Sequence, residues 1–394
     1  MVVGGGPAGL FAAETLAKNG AEVVLCEAKP SVGRKFLVAG RGGLNLTHSD
    51  QRDVFLTRYS GDDMPVTLWP ELLEDFDNVS IRAWAAGLEI ETFQASNGRI
   101  YPREMKAAPL LRRWVERLRS LGVQMKMRHR LTELMPSDDH LSLTFDTPEG
   151  AAEYRVDAVI LALGGGSWPI TGSDGTWVPL LESLGVTVQS LVSANCGWEV
   201  DWSREVLEMA EGKPLKNIAA TAGSQTAVGE LLLTNYGLEG GIIYQLGPAL
   251  RRMSEACLCI DLKPSFTHDQ LVKKMESVRG EFLTAAQTRW KLSDAAFALV
   301  CDQAQYLAHA NAATLARLTK NLCLPLLRPR PLAEAISTAG GVSWKSLTEN
   351  LSLSNDHRIF LAGEMIDWEA PTGGYLMQGC FATARRAALR ALAF

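Results

Sequence analysis

Three glycines close to the start of the chain, Gly4-x-Gly6-x-x-Gly9, have the spacing of a turn that cradles a pyrophosphate. Each dispenses with a side chain for its own reason. Gly4 permits the tight turn, Gly6 lets the backbone approach the phosphates, and Gly9 lets the following helix pack on the preceding strand. The N–H groups at the helix start, around Pro7 and Ala8, then face an anion. A second apolar strand, Glu22-Val-Val-Leu-Cys26, ends in Glu27. That acid stands close to the ~20-residue separation at which a carboxylate meets ribose hydroxyls. A GxGxxG on its own is weak, but strand, glycine turn, helix, strand and acid in this order specify a dinucleotide site.

The far end of the chain selects the dinucleotide. A buried-strand pattern runs into glycines at Val159-Ile-Leu-Ala-Leu-Gly-Gly-Gly-Ser-Trp-Pro169. A second such run, Ile359-Phe-Leu-Ala-Gly-Glu-Met-Ile-Asp367, is followed by Gly373-Gly-Tyr-Leu-Met-Gln-Gly379. FAD is long and needs a second anchor: an acid for the ribitol hydroxyls and a helix N-terminus for the flavin N1–C2=O edge. An enzyme that binds only NAD needs neither, so FAD is the expected cofactor. No second GxGxxG appears, so a dedicated pyridine-nucleotide domain is absent. NADH or NADPH would dock transiently over the flavin, or the substrate would itself be the electron donor.

The elements that must position these groups read as α/β. Residues 107–121 repeat apolar positions at helical spacing (Leu110, Leu111, Trp114, Val115, Leu118, Leu121) and carry arginines on the other face. Residues 123–127, 141–146 and 154–163 read as strands, and a helix is expected from about 379 to 392. The texture changes between 191 and 331. The expected organisation is a discontinuous FAD-binding domain, 1–190 with 332–394, and an insert at 191–331, with strands at about 191–262 and helices at about 267–322. The capping box Thr267-x-x-Gln270 opens one of those helices. Only Met1-Val-Val3 precedes the first glycine, so either the natural start lies upstream or the first strand is clipped.

Composition narrows the function classes. With 394 residues, 47% hydrophobic and 21% charged, the chain is globular, and its net charge of −5 draws it to neither nucleic acid nor anionic lipid. No apolar run approaches the ~20 residues of a membrane span. Seven cysteines without a CxxC point to a reducing, cytoplasmic setting and no disulfide framework. Cys257-x-Cys259 reads as buried small hydrophobes on one side of a strand, and no metal site is expected. Nothing here sets the oligomeric state.

These residues resemble the BaiN/RdsA-like NAD(P)/FAD-dependent oxidoreductases, with a glutathione-reductase-type FAD fold and an inserted domain. The resemblance rests on Gly4–Gly9, on Gly33-Arg-Lys-Phe-Leu-Val-Ala-Gly-Arg-Gly-Gly-Leu-Asn-Leu-Thr-His48, and on Gly98-Arg-Ile-Tyr-Pro102. It continues through Leu163–Pro169, Gly229–Leu238, Thr338–Val342, Ala362–Asp367 and Gly373–Tyr375. It implies an α/β, FAD-binding Rossmann-type domain with an inserted mixed β-barrel-like and helical domain. It implies Glu27 at the adenosine ribose, Leu131 beside the adenine, and Asp367 with Gly374–Met377 at the ribityl-isoalloxazine end. Candidate cofactor contacts are Gly4, Gly6, Pro7, Ala8, Gly9 and Glu27, then Lys35, Gly42, Gly43 and Asn45. Further along they are Leu131, Gly164, Gly165, Gly363, Glu364, Asp367, Gly373, Gly374, Tyr375, Leu376 and Met377.

This chain departs from its relatives at the flavin-side loop. The usual Gly-Gly-Gly-Arg-Cys-Asn reads Gly40-Arg-Gly-Gly-Leu-Asn45, so Leu44 replaces the cysteine and Arg41 is displaced. Leu376 stands where relatives favour Asn. Candidate acids or orienters are Tyr101, Arg103, Glu364 and Tyr375, while Arg41 and Asn45 would polarise a carbonyl or fix the loop. The leading expectation is an FAD-dependent oxidoreductase that passes hydride from flavin N5 to an activated C=C or carbonyl of a small molecule. The alternatives are an RNA uracil reductase using the basic residues of Arg112–Arg130, and a non-enzymatic flavin redox sensor.

Overall fold

The computed structural model describes residues 1–40, 42–307 and 309–394. The chain forms two compact units, Met1–Ser193 with Leu332–Phe394, and Ala194–Pro331.

Five parallel strands build the first unit: β1 (Val2–Val3), β2 (Val24–Glu27), β3 (Gln124–Met127), β4 (Val159–Leu161) and β5 (Ile359–Leu361). Their order across the sheet is β5-β4-β1-β2-β3. Val2 lies between Leu25 on one side and Ile160 on the other. Both faces of the central strands are covered, which explains why they read as unbroken apolar runs rather than alternating ones. Strand order reverses at β1, and ligands of such sheets bind at the carboxyl ends beside that reversal. The residues of interest follow these strand ends.

Three helices hold the sheet: α1 (Pro7–Lys18), α2 (Ala107–Ser120) and α3 (Tyr375–Ala391). Phe11 of α1 stacks on Phe381 of α3, with centroids 4.5 Å apart and planes 8° apart. Trp84 and Trp114 pack edge-on against Phe381. Under this aromatic cluster lies Glu14, only 2% exposed. It accepts from the indoles of Trp84 (3.0 Å) and Trp114 (2.7 Å) and from Arg117 (2.9 Å), and it pairs with Lys18 (2.6 Å). Burial alone would raise its pKa, but these donors reverse the shift and hold the carboxyl below its usual range.

Two expected elements move. The strand expected at 154–163 is two strands. Gly150–Val156 belongs to an antiparallel sheet with Arg130–Pro136 and Leu141–Thr147, whereas β4 joins the parallel sheet. The half-exposed alternation of the first part and the full burial of the second mark the break. The last helix starts at Tyr375, before the expected 379, because Gly374 ends the loop with φ +98°.

The second unit carries a six-stranded antiparallel sheet. In order across it are Trp198–Glu199, Gly237–Glu239, Gln225–Thr234, Pro214–Ala222, Cys257–Asp261 and Leu322–Pro325. Hydrogen bonds from Glu199 N to Arg328 O (2.9 Å), Leu327 N to Glu199 O (2.9 Å) and Arg330 N to Gly197 O (2.8 Å) join the first strand to the chain beyond the last. The sheet therefore closes on itself in a barrel-like way. Strands and helices are more interleaved than the sequence suggests. Arg204–Ala210 and Gly241–Arg251 are helices among the strands, and Leu322–Pro325 is a strand after the helices. Gly241–Arg251 buries Ile242, Ile243, Leu246 and Leu250, a short apolar run whose period alone does not distinguish helix from strand.

The cysteine expectation is corrected here. Cys259 and Cys323 face each other on adjacent strands and form a disulfide. Cys257 and Cys259 are half-buried, because Leu258 and Ile260 between and beside them take the inward face.

Candidate functional site

The first turn is held by its glycines. Gly4 donates to Cys26 O at 2.8 Å and has φ +107°, and a Cβ on it would lie 2.2 Å from Ala162 O. A Cβ on Gly9 would lie 1.8 Å from Gly4 O, so α1 sits directly on the turn. Gly6 has no atom within 4 Å of its Cβ position. It caps α1 with no side chain bonded there, and Leu10 N already takes Gly6 O, which leaves the N–H groups of Ala8 and Gly9 outside the helix ladder. The turn and the start of α1 border a cavity of about 710 Å³, lined among others by Gly4, Gly6, Pro7, Ala8, Glu27 and Leu131. Its size is that of a cofactor site. Glu27 accepts from Gly5 N and Lys29 N, both at 2.7 Å. Burial outweighs those two bonds and raises its pKa.

The later strand ends converge on the same cavity. Gly363, with φ +80°, brings the end of β5 against α1, since its Cβ would meet Ala8 Cβ at 2.8 Å. Glu364 lines the cavity and is fully engaged. It pairs with Lys35 Nζ (2.8 Å) and accepts from Thr338 N (2.9 Å) and Gly165 N (3.4 Å). Lys35 also donates to Ser167 Oγ at 2.7 Å. Gly164 lines the cavity, and its carbonyl accepts from Trp177 Nε1 at 2.8 Å. Glu364, Lys35 and the Gly164–Gly165 turn thus form one clamp.

A second cradle forms where the loop leading to Thr47 meets α3. A Cβ on Gly374 would lie 2.4 Å from Thr47 Cα, and Thr47 Oγ1 donates to Gln378 Oε1 at 2.8 Å. Gln378 N takes Gly374 O, so the N–H groups of Leu376 and Met377 stay outside the helix ladder. Among the described residues, Asn45 Oδ1 is buried and without a partner, and Gly42 has open space where a side chain would point. Gly43 has φ +110°, and a Cβ there would lie 3.4 Å from the Tyr101 ring. Gly373, with φ +135°, precedes the cap. Arg41 lies outside the described residues.

The proton-transfer candidates separate clearly. Arg103 forms an ion pair with Glu91 at 2.7 Å, both more than 70% exposed, and leaves the site. Glu364 is committed to the clamp. Tyr375 is buried and its hydroxyl donates to Asp50 Oδ2 at 2.6 Å. Burial, then that carboxylate, push its pKa well above the ordinary tyrosine value. Tyr101 is half-exposed, lies against the Gly43 turn, and stacks at 5.9 Å on Phe93. Leu44, at the family's cysteine position, is 1% exposed.

Asp367 does not line the cavity. It is 5% exposed and its Oδ2 has no partner. Burial, then the neighbouring charges of Asp62 and Glu369, push its pKa up to about 6, against weaker help from two backbone N–H groups. A raised acid stabilises the fold fully below its unfolded pKa, about 4, and loses that contribution as pH rises through the folded value. Asp367→Asn is therefore expected to be more stable than the parent at pH above 6, by up to about 3 kcal/mol. The difference should vanish below about pH 4. Urea midpoints across that range check it, and a pH-independent difference would refute the assignment.

Sequence reasoning missed Gly5, Ser167 and Thr338, whose contacts come from residues far apart in the chain. It also missed the charged group around Tyr375: Asp50, with His48 Nδ1 at 3.0 Å and Arg58 Nε at 3.3 Å. Part of the basic run is spent internally, while Arg112, Arg119, Lys126 and Arg128 are exposed. Arg113 pairs with Glu89, Arg117 with Glu14 and Arg130 with Asp174.

The HI0933-like protein Rossmann domain model matches residues 1–390. The chain belongs to the HI0933-like family. Among similar proteins, the 3-dehydro-bile acid delta(4,6)-reductase of Clostridium scindens is 27% identical, covering 97% of this chain and 96% of that one. The ribosomal RNA dihydrouridine synthase of Haemophilus influenzae is 21% identical, covering 99% and 97%. Among solved structures, a flavocytochrome c3 fumarate reductase in its open conformation superposes with TM-score 0.53 at 16% identity, over 99% of this chain and 77% of that one. The 3-ketosteroid-delta4-(5alpha)-dehydrogenase of Rhodococcus jostii gives 0.53 at 17%, over 99% and 95%. By family and fold this HI0933-like chain is an oxidoreductase of the flavoprotein class on a Rossmann frame. No described helix is long and apolar enough to cross a membrane.

Proposed function

We propose that this HI0933-like protein binds FAD and reduces an electron-poor C=C or carbonyl of a small molecule. The observation that carries this reading is the two-ended site. A glycine turn stands before α1, and a second helix start, at Gly374, packs on the Thr47 backbone beside Asn45 Oδ1, which has no partner among the described residues. FAD fits this arrangement. Ala8 and Gly9 would hold its phosphates, Glu27 its adenosine ribose, the Glu364–Lys35 clamp its middle, and the N–H groups of Leu376 and Met377 its ring edge. When bound, the flavin supplies two-electron chemistry through N5.

The chain's own residues then do the rest. Leu44 closes the loop as an apolar wall, and Tyr101 delivers the proton to the carbon or oxygen next to the reduced centre. It is the one candidate acid whose hydroxyl is not committed to a protein partner in the described structure. Tyr375 keeps its proton on Asp50 and orients the helix start. The bile acid relative is named as a 3-dehydro-bile acid delta(4,6)-reductase, and that activity on a small molecule supports this substrate class.

NADH or NADPH, docking transiently, is the expected donor. Anaerobic titration of the flavoprotein with each nucleotide, followed by loss of visible flavin colour, tests this. Rapid bleaching by one of them is expected. No bleaching by either, with dithionite still effective, would replace the reductase with a substrate-driven dehydrogenase or with the sensor. The RNA reading has the name of the Haemophilus influenzae relative in its favour, but here Arg113, Arg117 and Arg130 are paired internally. Salt-sensitive RNA binding would revive it.

A further inference from the structure

Three thiols meet on the outer face of the second unit's sheet. Cys257 and Cys259 sit on one strand, and Cys323 sits on the neighbouring antiparallel strand, opposite Cys259 and 64 residues away in sequence. Leu258 and Ile260 point into the core with Leu322 and Leu324, so the alternation of both strands turns the sulfurs to the other side. The three Sγ atoms lie within 4.8 Å of one another, and each residue is half-buried. The cluster is thus reachable from solvent while being fixed by a packed sheet.

We propose that the reduced Cys257, Cys259 and Cys323 thiolates together hold one thiophilic d¹⁰ cation of the Zn²⁺ class, and that the Cys259–Cys323 disulfide is the metal-free form of the same site. Thiolate sets select soft and borderline cations. Zn–S bonds of about 2.3 Å place three sulfurs about 3.8 Å apart around a tetrahedral centre. The three sulfurs already lie within 4.8 Å of one another on two paired strands. Three protein ligands leave the fourth position for water or another small ligand.

A cation displaces the thiol protons as it binds. The redox step is complete with a named reductant. A phosphine gives two electrons to the S–S bond and takes oxygen from water, and the two water protons go to the sulfurs. Zinc then releases the thiol protons.

The test uses the full flavin-loaded chain, reduced with a phosphine under argon and exposed to micromolar Zn²⁺. Native mass spectrometry and alkylation of free thiols are the readouts. One zinc per chain is expected after reduction and none before it, with all three cysteines protected from alkylation by the metal. C257S, C259S and C323S should each lose the zinc, while C301S, which alters a free cysteine on the helix Asp294–Ala304, should keep it. An unchanged far-ultraviolet circular dichroism spectrum certifies that each variant is folded. Absence of zinc from the reduced parent, or its retention by a folded C259S/C323S double variant, would overturn the proposal. So would reshuffling to a Cys257–Cys259 disulfide with no metal bound.

Discussion

Gly9→Ala is expected to yield a destabilised protein that purifies without flavin. In an ordinary helix interior the same change stabilises by about 1 kcal/mol, because alanine restricts the unfolded chain and favours the helix. Here the added methyl would lie 1.8 Å from Gly4 O and 3.0 Å from Gly4 C. Both are backbone atoms of the turn itself, which is pinned by Gly4 N on Cys26 O. No side-chain rotation relieves that contact, so α1 must lift from β1 and carry the phosphate-facing N–H groups with it. Overpacking of this kind costs about 1–3 kcal/mol, and more where backbone must move, so it outweighs the helix gain. Gly6→Ala provides the contrast. Its Cβ position meets nothing within 4 Å and its φ is −79°. That variant should keep the melting temperature of the flavin-free parent and still lose flavin, because the methyl fills the approach to the phosphates. Melting temperature and bound flavin per chain separate the two effects. A Gly9→Ala protein with full flavin and unchanged stability would mean that the turn is not the cofactor site.

Tyr101→Phe is expected to lower kcat by about 10²- to 10⁴-fold, the range of a lost general acid, once an acceptor substrate is in hand. Reduction of the flavin by its donor should be unchanged, and so should bound flavin, since neither step needs the hydroxyl's proton. Only the half-reaction that delivers electrons to substrate should slow. The ring remains stacked on Phe93 and against Gly43, so stability should move by well under the ~1 kcal/mol of a typical point mutation. Stopped-flow measurement of the two half-reactions separates these readings. An unaffected second half-reaction would assign the proton to solvent and leave Tyr101 as a packing residue of the loop.

Much of the nucleotide frame was legible in the sequence, because it rests on local rules. Glycines at fixed spacing, a capping pattern such as Thr267-x-x-Gln270, and unbroken apolar runs each state their own conformation, and the structure realises them. The acid Glu27 was legible for the same reason, since a strand of known length ends there. Candidate catalytic groups were not, because a side chain's availability depends on partners elsewhere in the chain. Arg103 is taken by Glu91 and Tyr375 by Asp50, 325 positions away. Glu364 is taken by Lys35, 329 positions away.

The strongest case is sulfur. Cysteine spacing along the chain showed a pair on one strand and no framework. Antiparallel pairing then set Cys323 against Cys259 and placed a third thiol beside them. By itself the sequence determined the glycine turn, the strands and helix that frame it and the family, since each depends on short-range periodicity and on which residues tolerate unusual backbone angles. The tertiary structure alone decided which acids remain free and which thiols meet, because those are set by strand register and loop closure over hundreds of residues, and no local pattern encodes either.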